Sequence, residues 1–322
     1  MSGAVENKSA AVARPTVSRN VYLALNAIGL VILVVAPFFV YPLFLAKVLC
    51  FCLFACAFNL LLGSVGLLSL GHAAFFGSAA YVTGHALKEW GLPFELAALI
   101  GTGAGAFLGV LFGYVSIRRQ GLYFAMITLA LGQMIYFLAF QLPFTHAEDG
   151  LTAVPRGKLL GMFDLNNNFI LYYTAAFIFL AGYLLIYRIT HSTFGQTLKA
   201  IRENEPRMIS LGYEVHRYKL AVFVLSATLT ALAGATKTLV VQLASPVDVH
   251  WSTSGDVILM ALLGGAGTLF GPVVGAGLVE MLQFYLADSG LPIQMVIGAI
   301  FVICILVFRQ GIVGEINRLM GR

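Results

Sequence analysis

Residues 195–212 read GQTLKAIRENEPRMISLG, a polar segment with a long apolar stretch on each side. The chain has 19 Lys and Arg and 14 Asp and Glu residues, and eight of these 33 charged residues lie between Thr190 and Lys219. A connection between two membrane helices needs only a few residues. The segment is long enough to form short helices of its own, and its charge predicts a surface that faces a partner in water.

The composition around this segment is that of a membrane protein. The chain has 322 residues, of which 60% are hydrophobic and only 10% are charged, whereas soluble domains carry about 25% charged residues. The apolar stretches are continuous runs of the length that crosses a bilayer as a helix, about 20 residues, and not the alternating strands of a barrel. We therefore predict an all-α fold, a polytopic helical bundle in the lipid bilayer.

The apolar runs predict about ten transmembrane helices. The candidate spans are 21–40, 43–62, 67–87, 94–117, 121–142, 168–188, 218–241, 252–265, 271–287 and 292–308. The eighth run is short and the ninth begins at a Gly-Pro step, so the count around 252–287 stays open. Residues 1–20 are polar and basic and predict a disordered cytoplasmic tail before a retained first span; a cleaved signal peptide is the alternative, which so long a polar lead disfavours. The membrane domain is then 21–315, followed by a second tail at 316–322.

The distribution of basic residues orients these spans. With both termini in the cytoplasm, the cytoplasmic regions contain 14 of the 19 Lys and Arg residues, in agreement with the positive-inside tendency. This orientation places the segment 190–217 inside and makes 143–167 the largest exterior segment, an ordered or semi-ordered surface loop. The net charge is +5, but the basic residues collect at the ends of the spans, as membrane orientation requires. The charge therefore gives no indication of nucleic-acid binding.

Glycines recur at a spacing of four in two places. They are Gly101, Gly105, Gly109 and Gly113 in one span and Gly267, Gly271 and Gly275 in a later one. This spacing makes a groove on one helix face, into which another helix can pack closely. The groove can serve packing within the chain, a subunit interface or a sliding surface. The stretches 61–77 and 262–277 also resemble each other in glycine spacing, through either an internal duplication or two independent turns.

Few polar side chains lie within the predicted spans, and a polar group in a bilayer is a candidate for function. His72, Gln133 and Glu280 are candidates to line a substrate path. Each has a structural alternative: His72 can satisfy backbone carbonyls freed at a turn, Gln133 can bond a neighbouring helix, and Glu280 can pair with a base or line a wet cavity. Lys237 lies near a span end, from which its ammonium can reach the surface.

The sequence predicts no catalytic residue and no metal site. It lacks the GxxxxGK[ST] phosphate loop, HExxH and GxSxG, so we expect no ATP hydrolysis by this chain. The cysteines, at positions 50, 52, 56 and 304, lie in apolar runs without neighbouring His, Asp or Glu residues. Buried free cysteines commonly act as small apolar residues.

Four stretches in order resemble one known family. They are SLGHAAFFGSAAYVTG (69–84), GLYFAMITLALGQ (121–133), AIRENEPRMISLG (200–212) and GGAGTLFGPVVGAG (264–277). Together they are similar to the LivM-type permease subunits of bacterial branched-chain amino acid importers of the ABC class, whose relatives import urea and short amides. The resemblance covers roughly residues 21–315.

The resemblance implies a type II ABC importer fold, like that of the vitamin B12 importers, in the bacterial inner membrane. It implies that this chain forms half of an alternating-access pathway beside a second, LivH-like permease subunit. It also implies two ATP-binding subunits and a periplasmic substrate-binding protein. ATP and magnesium would be bound by those ATPase subunits, and no cofactor is expected in this chain.

Within that family the polar segment resembles the cytoplasmic coupling loop that contacts the ATPases. We expect one helix from Ser192 to Asn204 and a second from Pro206 to Leu211, closed by a left-handed Gly212. The implied coupling residues are Gly195, Arg202, Glu203, Asn204, Glu205, Arg207 and Gly212. Where the family often has small residues after the acidic pair, this chain has Pro-Arg-Met-Ile at 206–209, which affects the docking geometry.

Two other classes of function remain as alternatives at this point. An ion-coupled secondary transporter would use Glu280, His72 or Lys237, and a membrane scaffold or enzyme subunit would need no transport path. The substrate also remains open among leucine, isoleucine, valine, other amino acids, urea and short amides. The pairing of permease subunits as homodimer or heterodimer, and the helices that line the path, are equally open.

Overall fold

The computed structural model describes residues 29, 31–147, 149–159, 161, 163–287, 293–307 and 311–320. The predicted tail 1–20, the first part of the predicted span 21–40 and the end of the tail 316–322 lie outside the described residues. Residues 31–35 are helical and lead into a 3₁₀ turn at Ala36–Phe38.

The described chain from residue 42 onward forms twelve α-helices. They are α1 (Pro42–Val65), α2 (His72–Lys88), α3 (Phe94–Ser116), α4 (Leu122–Gln141), α5 (Asn168–His191), α6 (Thr193–Glu203), α7 (Glu205–Ser210), α8 (Val215–Val241), α9 (Trp251–Gly264), α10 (Gly271–Leu286), α11 (Ile293–Val307) and α12 (Gly311–Met320). Four two-residue strands, β1 (Leu151–Thr152), β2 (Lys158–Leu159), β3 (Phe163–Asp164) and β4 (Leu243–Ala244), pair as β1 with β4 and β2 with β3. The predicted all-α fold is confirmed.

Among the residues that the structure describes, five helices are long and apolar enough to cross a membrane, namely α1, α3, α4, α5 and α8. The helices α2, α9 and α10 coincide with three further predicted spans but have only 14 to 17 residues, and the 15 described residues of α11 lie within a fourth. At 1.5 Å per residue α2, α9 and α10 extend about 21–26 Å, less than the hydrocarbon thickness of about 30 Å. The bundle therefore combines full-length spans with shorter helices.

Helix α8 is at the centre of the bundle and packs against α1, α2 and α3. Small residues on α8 permit close approach, because Gly234 lies so near the backbone of Phe76 that a Cβ atom would overlap it. Large side chains fill the remaining space, and Phe54, Phe75 and Phe223 are fully buried. This mixture of small contacts and aromatic filling is typical of membrane helix packing.

The glycine row of α3 faces other helices of the same chain. A Cβ atom at Gly101 would overlap Thr83 of α2, and one at Gly105 would overlap Ala231 of α8. At Gly109 and Gly113 the added atom would lie 2.6 Å from Ala227 and 2.7 Å from Leu220, both on α8. The row thus occupies the α2–α3–α8 contact.

The second glycine row is not a helix face, which corrects the sequence-based interpretation. Gly267 lies in the turn between α9 and α10 with a φ of +89°, a left-handed conformation that favours glycine. Gly271 is the first residue of α10, where it crowds Gly264, and Gly275 lies against the Met260 carbonyl. These two glycines allow α9 and α10 to approach closely, while Gly267 shapes the turn.

Short irregular segments separate α1 from α2 at residues 66–71 and α9 from α10 at residues 265–270. We call them the first and the second helix break. Irregular backbone is tolerated at membrane depth only where its polar groups find partners. At the first break the Leu70 N–H donates to Thr128 Oγ1 at 3.1 Å, and the Ala73 N–H donates to Ser254 Oγ at 2.8 Å. Side-chain hydroxyls from α4 and α9 therefore satisfy the backbone groups freed between α1 and α2.

The segment 143–167 lies at the end of the bundle where α8 has its C-terminus. Its strand β1 pairs antiparallel with β4, so that Leu151 faces Ala244 in register. Arg156 donates from Nη2 to the Val240 carbonyl at 2.8 Å, where a cation suits the C-terminal end of a helix.

Candidate functional site

The polar segment forms the helix pair α6–α7 at the other end of the bundle. Ser192 caps α6, since its Oγ accepts the Gly195 N–H at 3.3 Å. Leu198 and Ile201 are buried against the bundle, and the ring of Phe194 stacks on Tyr218 of α8 at 5.6 Å. One face of α6 is therefore seated on the membrane domain, and its other face is polar.

Helix α7 is short but capped at both ends. Asn204 Oδ1 accepts the Arg207 N–H at 3.1 Å, and Pro206 occupies the first turn, where its missing N–H leaves no bond unmade. Gly212 has a φ of +85°, and the N–H groups of residues 212 and 213 bond the carbonyls of Ile209 and Met208. This is a Schellman motif, and the predicted helix bounds agree with the structure to within one residue at each end.

Gly195 lies where the structure leaves no room for a side chain. A Cβ atom there would overlap the carbonyl oxygens of Ile189 and Thr190, at the end of α5. The absence of a side chain lets α6 turn tightly away from α5. Gly195 therefore fixes the angle between the last turn of a membrane span and the helix pair.

Arg202, expected from the resemblance to contact an ATPase subunit, is exposed and also forms a bond to the membrane domain. Its Nη1 donates to the Gly63 carbonyl in the last turn of α1 at 2.6 Å. Glu205 turns inward: its Oε2 lies 2.7 Å from Lys219 Nζ and 2.9 Å from Gln120 Nε2. These two residues attach the pair to α1, to α8 and to the loop before α4.

The outward surface of the pair has polar and apolar parts. Glu203, Asn204 and Arg207 are exposed. Beside them the large apolar side chains of Ile209 and Leu211 are 58% and 64% exposed. Met208, which the sequence suggested as a third apolar contact, is buried beneath them. The outward surface thus has a charged patch, 203–207, presented by Glu203, Asn204 and Arg207, and an apolar patch, 209–211, presented by Ile209 and Leu211.

His72 lies in the interior of the chain. It is fully buried, with its ring edge-on to Phe58, Phe75 and Phe223. Ser226 Oγ donates to the Ala57 carbonyl at 2.6 Å. Since that hydroxyl proton is used, His72 Nε2 must be the donor in its 2.9 Å bond to Ser226. This geometry gives His72 a packing role between α1, α2 and α8.

Glu280 and Gln133 are separate from His72. Glu280 on α10 is buried, and its Oε2 lies 3.0 Å from Lys47 Nζ on α1, which matches the alternative that it pairs with a base. Gln133 on α4 is half-buried and follows Gly132, where a Cβ atom would lie 3.2 Å from Gly71 of the first break. The structure does not bring the three substrate-path candidates together into one site.

Lys237 is held inside the bundle and does not extend to the surface. Its Nζ lies 2.6 Å from Asp248 Oδ2 and also donates to the Leu243 carbonyl at 3.2 Å. Both charged side chains are almost completely buried. The same Asp248 oxygen accepts the Ser245 N–H at 3.0 Å, so the pair fastens the turn after α8 to the helix.

The sequence interpretation missed polar residues within predicted spans, among them Lys47, the partner of Glu280, and the following two. Asn59 is buried in α1 and bonds the second helix break through its side-chain amide. Asp256 is half-buried on α9. Each stands in an apolar run, and that position was the signal available to find it.

An apolar bundle of long and short helices, with a polar, capped helix pair at one end, defines a polytopic helical membrane protein. The sequence matches the family described as "Branched-chain amino acid transport system / permease component" over residues 41–306. This match covers most of the chain, and the protein therefore belongs to that family.

Two curated relatives carry the name "High-affinity branched-chain amino acid transport system permease protein LivM". The one from Escherichia coli (strain K12) is 26% identical over 277 residues, and the one from Salmonella typhimurium (strain LT2) is 26% identical over 281 residues. Each alignment covers 79% of this chain and 65% of the relative, so the chain spans about two-thirds of their length. No solved structure matches the chain.

Proposed function

We propose that this chain is the permease subunit of an ATP-driven importer for branched-chain or related amino acids. It would form half of an alternating-access pathway, and separate subunits would hydrolyse the ATP. The family and the printed names of the two relatives support this class of substrate. The sequence supports the assignment of ATP hydrolysis to other subunits, since this chain has no phosphate-binding loop.

One observation carries the proposal: the helix pair α6–α7 combines an exposed outer surface with firm attachment to the membrane domain. The outer surface offers the charged patch 203–207 for orientation and partner choice, and the apolar patch 209–211 for contact area. Its caps and its ion pair with Lys219 hold it as a unit. Such an element can receive a movement from a soluble partner without unfolding.

The mechanism follows from the attachments. Gly195 couples α6 closely to the end of α5, and Glu205 couples α7 to Lys219 in the first turns of α8. Closure of the ATPases on ATP would move the pair, and the pair would move α5 and α8. Because α8 packs against α1, α2 and α3, its movement changes the centre of the bundle. The bundle would thereby shift between outward-facing and inward-facing states.

The proposal includes an orientation and a set of partners. The helix pair and both termini lie in the cytoplasm of a bacterium, in accordance with the positive-inside tendency, and the chain resides in the inner membrane. A LivH-like permease supplies the other half of the path, and a periplasmic binding protein selects the substrate. Urea and short amides are the alternative substrates, and the ligand of that binding protein distinguishes them from amino acids.

The ion-coupled alternative has less support from the geometry. A proton or sodium site needs a polar group that faces water or ions, whereas Glu280 is paired with Lys47 and Lys237 is paired with Asp248. His72 is enclosed by aromatic rings. None of these three candidates has the environment that this alternative requires.

The proposal is tested by capture of the partner in membranes. A Glu203→Cys variant, labelled with a thiol-reactive photo-crosslinker, should capture a nucleotide-binding subunit. A Thr152→Cys variant carries the label at the opposite end of the bundle, where Thr152 is exposed, and should capture none. The unsubstituted chain controls for labelling of its own cysteines. Failure of the labelled residue 203 to capture any nucleotide-binding protein would contradict the coupling role.

A transport measurement separates the two energy sources. Proteoliposomes with the complete complex should accumulate radiolabelled leucine only when ATP is supplied on the ATPase side. Proteoliposomes with this chain alone should accumulate none under a proton or sodium gradient. Gradient-driven uptake by the chain alone would overturn the ATP-driven proposal.

A further inference from the structure

Three elements meet beneath α6: the last turn of α1, the second helix break at 265–270, and the side chain of Arg202. Asn59 on α1 joins the first two. Its Nδ2 donates to the Thr268 carbonyl at 2.8 Å, and its Oδ1 accepts the Gly267 N–H at 3.0 Å. This amide satisfies two backbone groups of the break and fixes the break against α1.

Arg202 adds the third element. Its Nη1 donates to the Gly63 carbonyl at 2.6 Å. A Cβ atom at Gly66 would lie 3.6 Å from Arg202 Cγ, and one at Gly267 would lie 3.8 Å from its Nη1. The side chain therefore extends from α6 across the end of α1 as far as the second break.

The chemistry suits this position. The helical N–H partner of the Gly63 carbonyl would belong to residue 67, which is beyond the end of α1, so this oxygen needs another donor. A guanidinium at the C-terminal end of a helix also meets the negative end of the helix dipole. The residues that the side chain crosses are glycines, and a larger residue there would occupy part of its space.

The joint is not fully packed. A cavity of about 30 Å³ lies beside it, lined by residues of α1, α5, α6 and the second break that include Asn59, Gly63, Lys199 and Thr268. Protein interiors are otherwise packed about as densely as organic crystals. A void of this size can hold a water molecule, so packing at the joint is locally loose, while the polar bonds of Arg202 and Asn59 keep the elements together.

We propose that Arg202 is a positioning residue that transmits movement of α6 to the end of α1 and to the second helix break, and that it is not an ATPase-docking contact. This inference rests on the proposed function. It also assigns two separate roles within the helix pair. The exposed patches 203–207 and 209–211 receive the partner, whereas Arg202 connects the pair to the two helices that end at the joint.

The test uses the complete complex in proteoliposomes and measures leucine uptake and ATP hydrolysis together. Coupling free energies between protein sites commonly correspond to factors of about 5 to 150, and we expect Arg202→Ala to lower leucine transported per ATP about tenfold. The ATPase subunits should still co-purify with the variant. Arg202→Lys, which keeps one donor for the Gly63 carbonyl, should restore most of the ratio. Gln196→Ala, at an exposed position on the same helix, should leave the ratio unchanged.

Hydrogen exchange on the purified full chain tests the joint without any partner. Arg202→Ala should raise amide exchange in 193–203 and 265–268, while Gln196→Ala should not. Unchanged exchange together with an unchanged transport ratio would overturn the inference. Loss of the ATPases from the Arg202→Ala complex would also overturn it, since that result makes Arg202 a docking residue. A wild-type complex that does not couple uptake to ATP would refute the proposed function itself.

Discussion

Gly105 gives the sharpest prediction about the packing of this bundle. A Cβ atom at Gly105 would overlap the Ala231 methyl of α8, whereas one at Gly103, two residues earlier on α3, would have nothing within 4 Å. Ala is favoured over Gly in a helix by about 1 kcal/mol, and this gain applies to both positions. The difference between Gly105→Ala and Gly103→Ala therefore isolates the cost of overpacking, which is about 1–3 kcal/mol for one inserted group.

The assay is equilibrium unfolding of the purified chain in mixed micelles, with SDS as the denaturant. We expect Gly103→Ala to be neutral or slightly stabilising and Gly105→Ala to lower the free energy of unfolding. Ala231→Gly alone should also destabilise, since it removes a buried methyl group. The double variant exchanges the two methyl positions, and we expect a favourable coupling energy of about 1–2 kcal/mol.

Two results would refute this reasoning. Equal stability of Gly105→Ala and Gly103→Ala would show that α3 does not approach α8 at Gly105. Strictly additive effects of Gly105→Ala and Ala231→Gly would show that the two residues do not share a contact. Either result would leave the glycine row available for a subunit interface.

Three further predictions concern charges and caps, and the same unfolding assay measures each. Lys237→Met should cost about 3–5 kcal/mol because it leaves Asp248 buried without its partner, and combining it with Asp248→Leu should recover much of that loss. Lys47→Met should cost more than Glu280→Gln, because the first leaves a buried carboxylate unpaired while the second leaves a lysine that is 38% exposed. Gly212→Ala should cost about 1–2 kcal/mol, the penalty of a left-handed conformation with a side chain, and equal stability would exclude the Schellman cap.

The sequence predicted those features that depend on local physics. Apolar runs identified the helices because a bilayer demands internally bonded, apolar segments. Pro206 and Gly212 marked the start and end of α7 because each has a backbone preference that acts within one turn. Such features can be predicted without knowing which helices or loops pack beside them.

The direction in which charges point could not be predicted in the same way. An excess of charge in 190–217 indicates a polar segment, but it does not show that Arg202, although exposed, bonds a carbonyl of α1, or that Glu205 turns toward an ammonium on α8. Lys237 finds Asp248 across a turn whose shape the sequence does not reveal. The bounds of α9 and α10 were closer to prediction, since both helices agree to within one residue at each end with the predicted spans 252–265 and 271–287.

The similar glycine spacing at the two helix breaks is explained better by their local geometry than by an internal duplication. In each, a helix ends, a left-handed glycine turns the chain, at Gly66 or Gly267, and a new helix begins within a few residues. The last turn of α1, just before the first break, also lies against the second break, since a Cβ atom at Gly63 would lie 3.0 Å from the Cα atom of Gly267. A backbone interruption in an apolar bundle needs small residues for close approach and polar partners for its freed groups. Each interruption must meet that requirement where it packs, so their shared glycine spacing needs no internal duplication.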